Sequence, residues 1–367
     1  MGRIPQRFHA PDGWNANTNL TFGSFHIDIA PIIIVAFFTT LLVFGTKIGA
    51  RVDGAMTVLK IAIVFFVVIV GFFYVKASNF TPFIPPSQPA STVEGSSAVT
   101  GVMTQPLWQF ATGMTPSVYG VPGILSGAAL VFFAFIGFDV VATASEETKN
   151  PHKNVPLGIG VGMLLIIVMY MLVAVVTTGM VSYADLAKQD SPSLATAFEL
   201  VGADWAAKII SFGIVLGLAT VVMVLLLGLT RIVFAMSRDG LLPRGLSKTG
   251  KHGTPAALQI VVGAVVALVA AFFDIGVLSD MVNIGTLSAF TLVAISIPIM
   301  RKKRPDLPRA FKMPGSPWIP ILIAVANFWL MLNLSVLTWI RFVVWLVVAS
   351  PSTSATATGM RASARET

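Results

Sequence analysis

A chain of 367 residues that is 55% hydrophobic and only 11% charged is not a soluble globule, because soluble domains carry about 25% charged residues. Its mean hydropathy of +0.84 points the same way. It has no cysteine, which excludes disulfides and thiolate metal sites, and its four histidines form neither an i, i+4 ligand pair nor an HExxH helix.

Residues 1–28 begin polar and lack the apolar core of a secretory signal peptide, so they are expected to form an external N-terminal segment. Apolar runs near twenty residues long are the signature of bilayer-spanning helices. The first two cover 29–46 and 55–75, and the second contains Lys60. Residues 77–119 are rich in Pro, Ser, Gly and Thr and read as an external linker or flexible cap. The sequon Asn79–Phe80–Thr81 within them is a triplet common by chance.

Further runs cover 121–145, 156–180 and 205–236, with a polar loop at 185–204. Arg238, Asp239, Gly240 and Pro243 close the fifth run as a helix stop and tight turn. The pairs Gly123–Gly127 and Gly213–Gly217 predict close helix packing within the chain. Runs at 255–273, 278–300, 317–334 and 337–349 complete nine candidates across 29–349. The last is about 20 Å long as a helix, too short to cross comfortably. The tail 350–367 is low-complexity and is expected to be disordered. The pattern predicts an all-α, polytopic membrane helix bundle.

The net charge of +8 would suit a nucleic-acid binder, but its distribution does not. Lys and Arg gather in alternate loops: Lys47 and Arg51, Lys149 and Lys153, Arg238 to Lys251, and Arg301 to Lys312. Acidic residues offset the few basic ones in the loops between. This is the positive-inside pattern, and it puts the basic loops and the C-terminal tail in the cytoplasm. The run at 301–304 could also touch anionic lipid. The same rule puts the N-terminus outside, where Arg3 and Arg7 oppose export. Three further spans upstream would resolve that conflict.

Two places could carry chemistry. Lys60 lies about 8 Å inside the second run, where it must snorkel or find a partner. A desolvated ammonium there could also carry a proton during function. The stretch Val131–Pro156 is the second place, with Gly137 and Asp139 inside its apolar part. Unwound backbone at such a weak point can bind a polar solute, although a glycine kept for helix packing would look the same. Phe132, Phe133, Phe135 and Phe138 could wall a pocket or face lipid and core. Asp139 could balance Lys60 or cap the helical segment that resumes after Gly137. Glu146 and Glu147 belong at the surface, and no nucleophile–base or metal constellation accompanies them. An enzyme is therefore not expected.

The stretch FFAFIGFDVVATASEETKNPHKNVPLGI resembles the sixth helix and following loop of amino acid permeases of the amino acid–polyamine–organocation (APC) superfamily. Within that superfamily it is most similar to the cationic amino acid transporter group and its bacterial relatives. KIGARVDGAMTVLKIAIVFFVVIVGFFYV, RIVFAMSRDGLLPRGLSKTGKHGTP and DMVNIGTLSAFTLVAISIPIMRKKRPDLPRAFKMPGSPWIP extend the likeness over about residues 28–348. The resemblance implies the leucine-transporter fold, with two inverted repeats of five helices and two more. The nine runs would then be its helices four to twelve, the first three being absent from this sequence.

By position, the resemblance implies that Phe135, Ile136, Gly137 and Phe138 form the broken part of the sixth helix. They would face the substrate with Phe132 and Asp139. It puts Lys60 where some proton-coupled relatives have a lysine, its ammonium standing where sodium-coupled relatives hold sodium. Thr220 would lie near it, with Ala219 in place of a hydroxyl residue. No metal or organic cofactor is implied.

The expected function is secondary active transport of amino acids, proton-coupled and by alternating access, in the plasma membrane. The partners would be the amino acid, protons and lipid. The alternative is a truncated, non-transporting remnant or structural membrane protein, since the first helix supplies half of the substrate site in this family.

Overall fold

A computed structural model of the chain describes residues 19–22, 25–44, 46–90, 101–138, 148–189, 192–240, 255–273, 275–306 and 315–348, together with Val141, Leu242, Gly245 and Met313. The segment 1–18, the tail 350–367, and Asp139, Glu146 and Glu147 lie outside the described residues.

The chain is all-α, with two short strand pairs among the described residues. β1 (Asn19–Phe22) and β2 (Phe25–Asp28) form an antiparallel hairpin that sets Asn19 opposite Asp28. Helices α1 (Ile29–Phe44) and α2 (Thr46–Phe72) follow. Next come a 3₁₀ turn at Ala77–Phe80, β3 (Gln88–Pro89), α3 (Leu107–Thr112), β4 (Ser117–Val118) and α4 (Gly120–Val131). Strands β3 and β4 pair antiparallel. α5 (Pro151–Met180), the short α6 (Tyr183–Ala187) and α7 (Leu194–Leu200), and α8 (Asp204–Arg238) come after a 3₁₀ turn at Phe132–Phe135. The chain continues with α9 (Ala256–Phe272), α10 (Ile275–Lys303), α11 (Trp318–Leu332) and α12 (Val336–Val348).

Four described helical stretches are long and apolar enough to cross a membrane: Gly54–Phe72, Pro151–Met180, Asp204–Arg238 and Ile275–Lys303. Their outer faces expose large apolar side chains such as Leu164 and Phe212, as a lipid solvent allows.

Local chemistry explains several helix ends. Pro151 occupies the first turn of α5, where its missing N–H costs nothing. The preceding Asn150 takes φ 51 and accepts from the N–H of Asn154 at 3.0 Å. Asn154 in turn donates its side-chain amide to the Lys149 carbonyl. Ser193 and Thr196 form a reciprocal capping box on α7. α8 stops at Arg238, and Gly240 takes φ +80 just beyond it, as the sequence predicts for a glycine-closed helix end.

The chain divides into two compact units, residues 1–82 with 162–273 and residues 83–161 with 274–367, and the boundary falls inside α5. The first unit has two apolar clusters. One joins Val67 of α2, Val176 and Met180 of α5, Phe198 of α7 and Ile210 of α8. The other joins Val35, Phe38 and Leu42 of α1 to Met223 and Leu226 of α8 and Leu258 and Val262 of α9.

Small residues set the approach of these helices. A Cβ on Gly71 would collide with Val176 and come within 2.8 Å of the Met180 sulfur. One on Gly263 would collide with Thr39. Asn79 donates its side-chain amide to the Gly179 carbonyl at 2.8 Å, so the nitrogen that a glycan would need is already engaged.

The second unit centres on Ala129 of α4, Ile284 and Leu287 of α10, Met331 of α11 and Leu334. From residue 101 onward the loop read as a flexible cap is built onto this unit. The Leu107 N–H donates to the Leu334 carbonyl, and the N–H groups of Val336 and Leu337 donate back to Gln105 and Met103. The Trp108 indole donates to Asn333 Oδ1 at 2.9 Å and its ring stacks on Trp329. Composition suggested a linker because the ordering contacts are backbone groups and one tryptophan, which composition does not weigh.

In α5, Gly158, Gly160 and Gly162 have no atom near enough to touch an added Cβ.

Candidate functional site

The residues singled out in the sequence fall in both units, and each group is described within its own. In the second unit, α4 stops at Val131 and tightens into the 3₁₀ turn Phe132–Phe135. Ile136 then goes extended, with φ −66 and ψ 138, and Gly137 takes φ +124. That φ lies where an L side chain is strained. Among the described residues, a Cβ on Gly137 would meet nothing within 4 Å. The backbone angle, and not a close neighbour among them, is what calls for glycine here.

Phe132, Phe135, Ile136 and Phe138 are all half-buried, whereas Phe133 is more exposed. Two of the four pack on one ring: Phe290 of α10 meets Phe132 edge-on, with centroids 6.2 Å apart, and Phe138 at 5.4 Å. Phe290 thus touches the chain on both sides of the break. One α-helical face earlier, Asn283 is fully buried and its Nδ2 points at the Leu130 carbonyl from 3.5 Å. Asn283 and Phe290 escaped the sequence reading, although a lone amide in the apolar stretch MVNIGTLSAF was a usable signal. Asp139 lies outside the described residues.

In the first unit, Lys60 is half-buried on α2 and lays its side-chain stem along Gly217 of α8, whose added Cβ would sit 3.9 Å from Lys60 Cγ and Cε. The Gly217 carbonyl accepts a hydrogen bond from Thr220 Oγ1 at 2.9 Å, and Thr220 is buried. Lys60 and Thr220 thus each meet Gly217, the first through its stem and the second through a hydrogen bond within α8. One turn away, a Cβ on Gly213 would collide with Ile63. Of the Gly213–Gly217 pair only Gly213 is pressed; Gly217 makes ordinary contact with the Lys60 stem. Neither glycine of the pair Gly123–Gly127 is pressed among the described residues: Gly123 has only the Val118 backbone carbon at 3.7 Å and Gly127 has nothing near. Among the described residues, no group of three His, Cys, Asp or Glu side chains could hold a metal ion.

A span that breaks at a glycine in an all-α membrane chain is a feature that many transporter folds share. The sequence agrees: residues 11–361 match the amino acid permease family, and the chain belongs to it as a multi-pass membrane protein. It is 40% identical over 342 residues to the branched-chain amino acid permease BcaP of Bacillus subtilis (strain 168), covering 93% of this chain and 66% of that protein. It is 37% identical over 319 residues to the methylthioribose transporter of the same organism, covering 87% of this chain and 62% of the relative. It is also 34% identical over 281 residues to the vacuolar cationic amino acid transporter 4 of Arabidopsis thaliana, covering 76% of this chain and 42% of that protein. The chain thus spans about two thirds or less of these relatives' lengths.

Proposed function

We propose that this chain forms the larger part of a secondary amino acid transporter of the plasma membrane. It binds its substrate at the break between Val131 and Phe138 and couples transport to protons by alternating access. The observation that carries this reading is Gly137, whose φ of +124 interrupts an apolar span with no packing reason. An interrupted span lets backbone N–H and C=O groups meet the ammonium and carboxylate of an amino acid where side chains are apolar.

Phe132, Phe135, Ile136 and Phe138 supply the wall for the substrate side chain, with Asp139 following on. Their apolar character and the 40% identity to a branched-chain amino acid permease favour an aliphatic substrate over a cationic one. Lys60 is assigned the proton. Its side-chain stem lies along Gly217 of α8, whose carbonyl is bonded by the buried Thr220 hydroxyl, and a lysine at this depth of an apolar helix is suited to carry a proton. The basic loops and the C-terminal tail lie in the cytoplasm by the positive-inside rule.

The test is uptake by the product of the complete reading frame, reconstituted into liposomes with an imposed pH gradient. Saturable leucine uptake, driven by an inward proton gradient and competed by isoleucine and valine, is the expected result. Competition by lysine and arginine alone would transfer the assignment to cationic substrates. Absence of saturable uptake of any amino acid would leave the structural-remnant alternative.

A further inference from the structure

One helix holds the break on both of its sides. Asn283 and Phe290 are seven residues apart on α10, two turns, and so share a face. Phe290 packs on Phe132 before the break and on Phe138 after it. Asn283 reaches the Leu130 carbonyl at the point where α-helical bonding gives way to the 3₁₀ turn.

The amide of Asn283 is under-used. Its donor contact is long at 3.5 Å, and its Oδ1 is buried without a hydrogen-bond partner among the described residues. Turning the amide over would aim oxygen at the Leu130 carbonyl oxygen, so chemistry fixes its orientation. Buried polar groups are ordinarily paired, and an unpaired one in a moving protein asks for a partner from another state. Leu130, which its Nδ2 faces, leads directly into the broken segment, whose backbone has left regular helix geometry at Ile136 and Gly137 and so has N–H groups outside the helix ladder.

We propose that Asn283 is a positioning residue for the broken span: its Nδ2 holds the Leu130 carbonyl, and its Oδ1 accepts a backbone N–H of the 131–137 segment when that segment rearranges during transport. This rests on the transport reading above. Asn283 acts through the backbone of the break and does not touch the substrate.

The experiment compares the unsubstituted full-length protein with Asn283→Leu, which keeps side-chain volume and removes both polar atoms, and with Asn283→Thr, which keeps a hydroxyl at that depth. Initial uptake rates across substrate concentrations are read together with the yield of monodisperse protein. The expected result for Asn283→Leu is a Vmax at least tenfold lower with KM within threefold, at unchanged yield. Asn283→Thr should recover at least threefold of the lost Vmax.

A tenfold rise in KM at normal Vmax would overturn the proposal by putting Asn283 on the substrate. Wild-type kinetics for Asn283→Leu would overturn it too. If Asn283→Leu fails to fold, Asn283→Thr decides alone: a Vmax reduced with KM kept supports the role, and wild-type kinetics overturns it. No saturable uptake by the unsubstituted protein would instead sink the transport reading itself.

Discussion

The break in the second unit and the α2–α8 seam in the first both depend on a glycine, for opposite reasons. Gly137 has room for a side chain and a backbone that does not accept one. Gly213 has a helical backbone that would accept alanine and no room for it against Ile63. A packing glycine keeps two helices in contact and belongs to stability. A conformational glycine keeps a segment out of helix and belongs to the path of the backbone. Sequence alone shows the same letter in both places.

The largest expected effect is on the packing side. Gly213→Val adds branched atoms where even a Cβ collides, and overpacking of this kind costs about 1–3 kcal/mol or more. We expect most of the folded protein to be lost in size-exclusion profiles, with recovery when Ile63→Ala is added. If Ile63→Ala restores nothing, the close contact is not what makes Gly213 necessary.

Lys60→Ala comes next. Proton-driven accumulation should vanish while substrate exchange persists, because the seam also rests on Gly213 and Ile63. Unchanged accumulation and pH dependence would remove Lys60 from coupling.

Gly137→Val should lower substrate affinity or rate at least tenfold at nearly normal protein yield. The strain of a non-glycine residue at that φ is about 1–3 kcal/mol, and no neighbour is displaced. A collapse of yield instead would erase the contrast with Gly213. Gly217→Ala sharpens it from the other side: an added Cβ makes an ordinary 3.9 Å contact with the Lys60 stem, and alanine favours helix by up to about 1 kcal/mol. Uptake within twofold of wild type is expected.

The smallest effect lies outside both regions. The carboxylate of Asp185 is held below its usual range by the Ser182 hydroxyl and then by Lys188. A carboxyl whose pKa is lower in the folded state stabilises above its unfolded value and loses that contribution as pH falls through the folded one. Amide exchange at the start of α6 should therefore quicken only below about pH 4, and a change between pH 6 and 8 would contradict it.

The helical runs were legible because lipid demands unbroken apolar length, and nine such runs stand out in the sequence. The break was legible because a glycine beside an aspartate interrupts one of them. What the sequence did not show was which glycines pack. Gly123–Gly127 and Gly213–Gly217 have identical spacing, and of the four only Gly213 is pressed by a neighbouring helix. Spacing defines a face of a helix but not what stands opposite it. Asn283 and Phe290 stayed hidden for a related reason: they act on residues about 150 positions away in sequence, a pairing that no local pattern encodes. The ordering of 101–119 by Trp108 and by backbone bonds to the α11–α12 turn was invisible for the same cause.

α5 carries Pro156 and then three glycines within five residues, none pressed by a neighbour among the described residues. Proline removes one rung of the helix ladder, and each glycine leaves the backbone without a side chain to brace it. As a mechanical element, α5 is therefore a rod of uneven stiffness. A bending load applied to its ends curves it first between residues 156 and 162, while the stretch anchored by Val176 and Met180 stays straight.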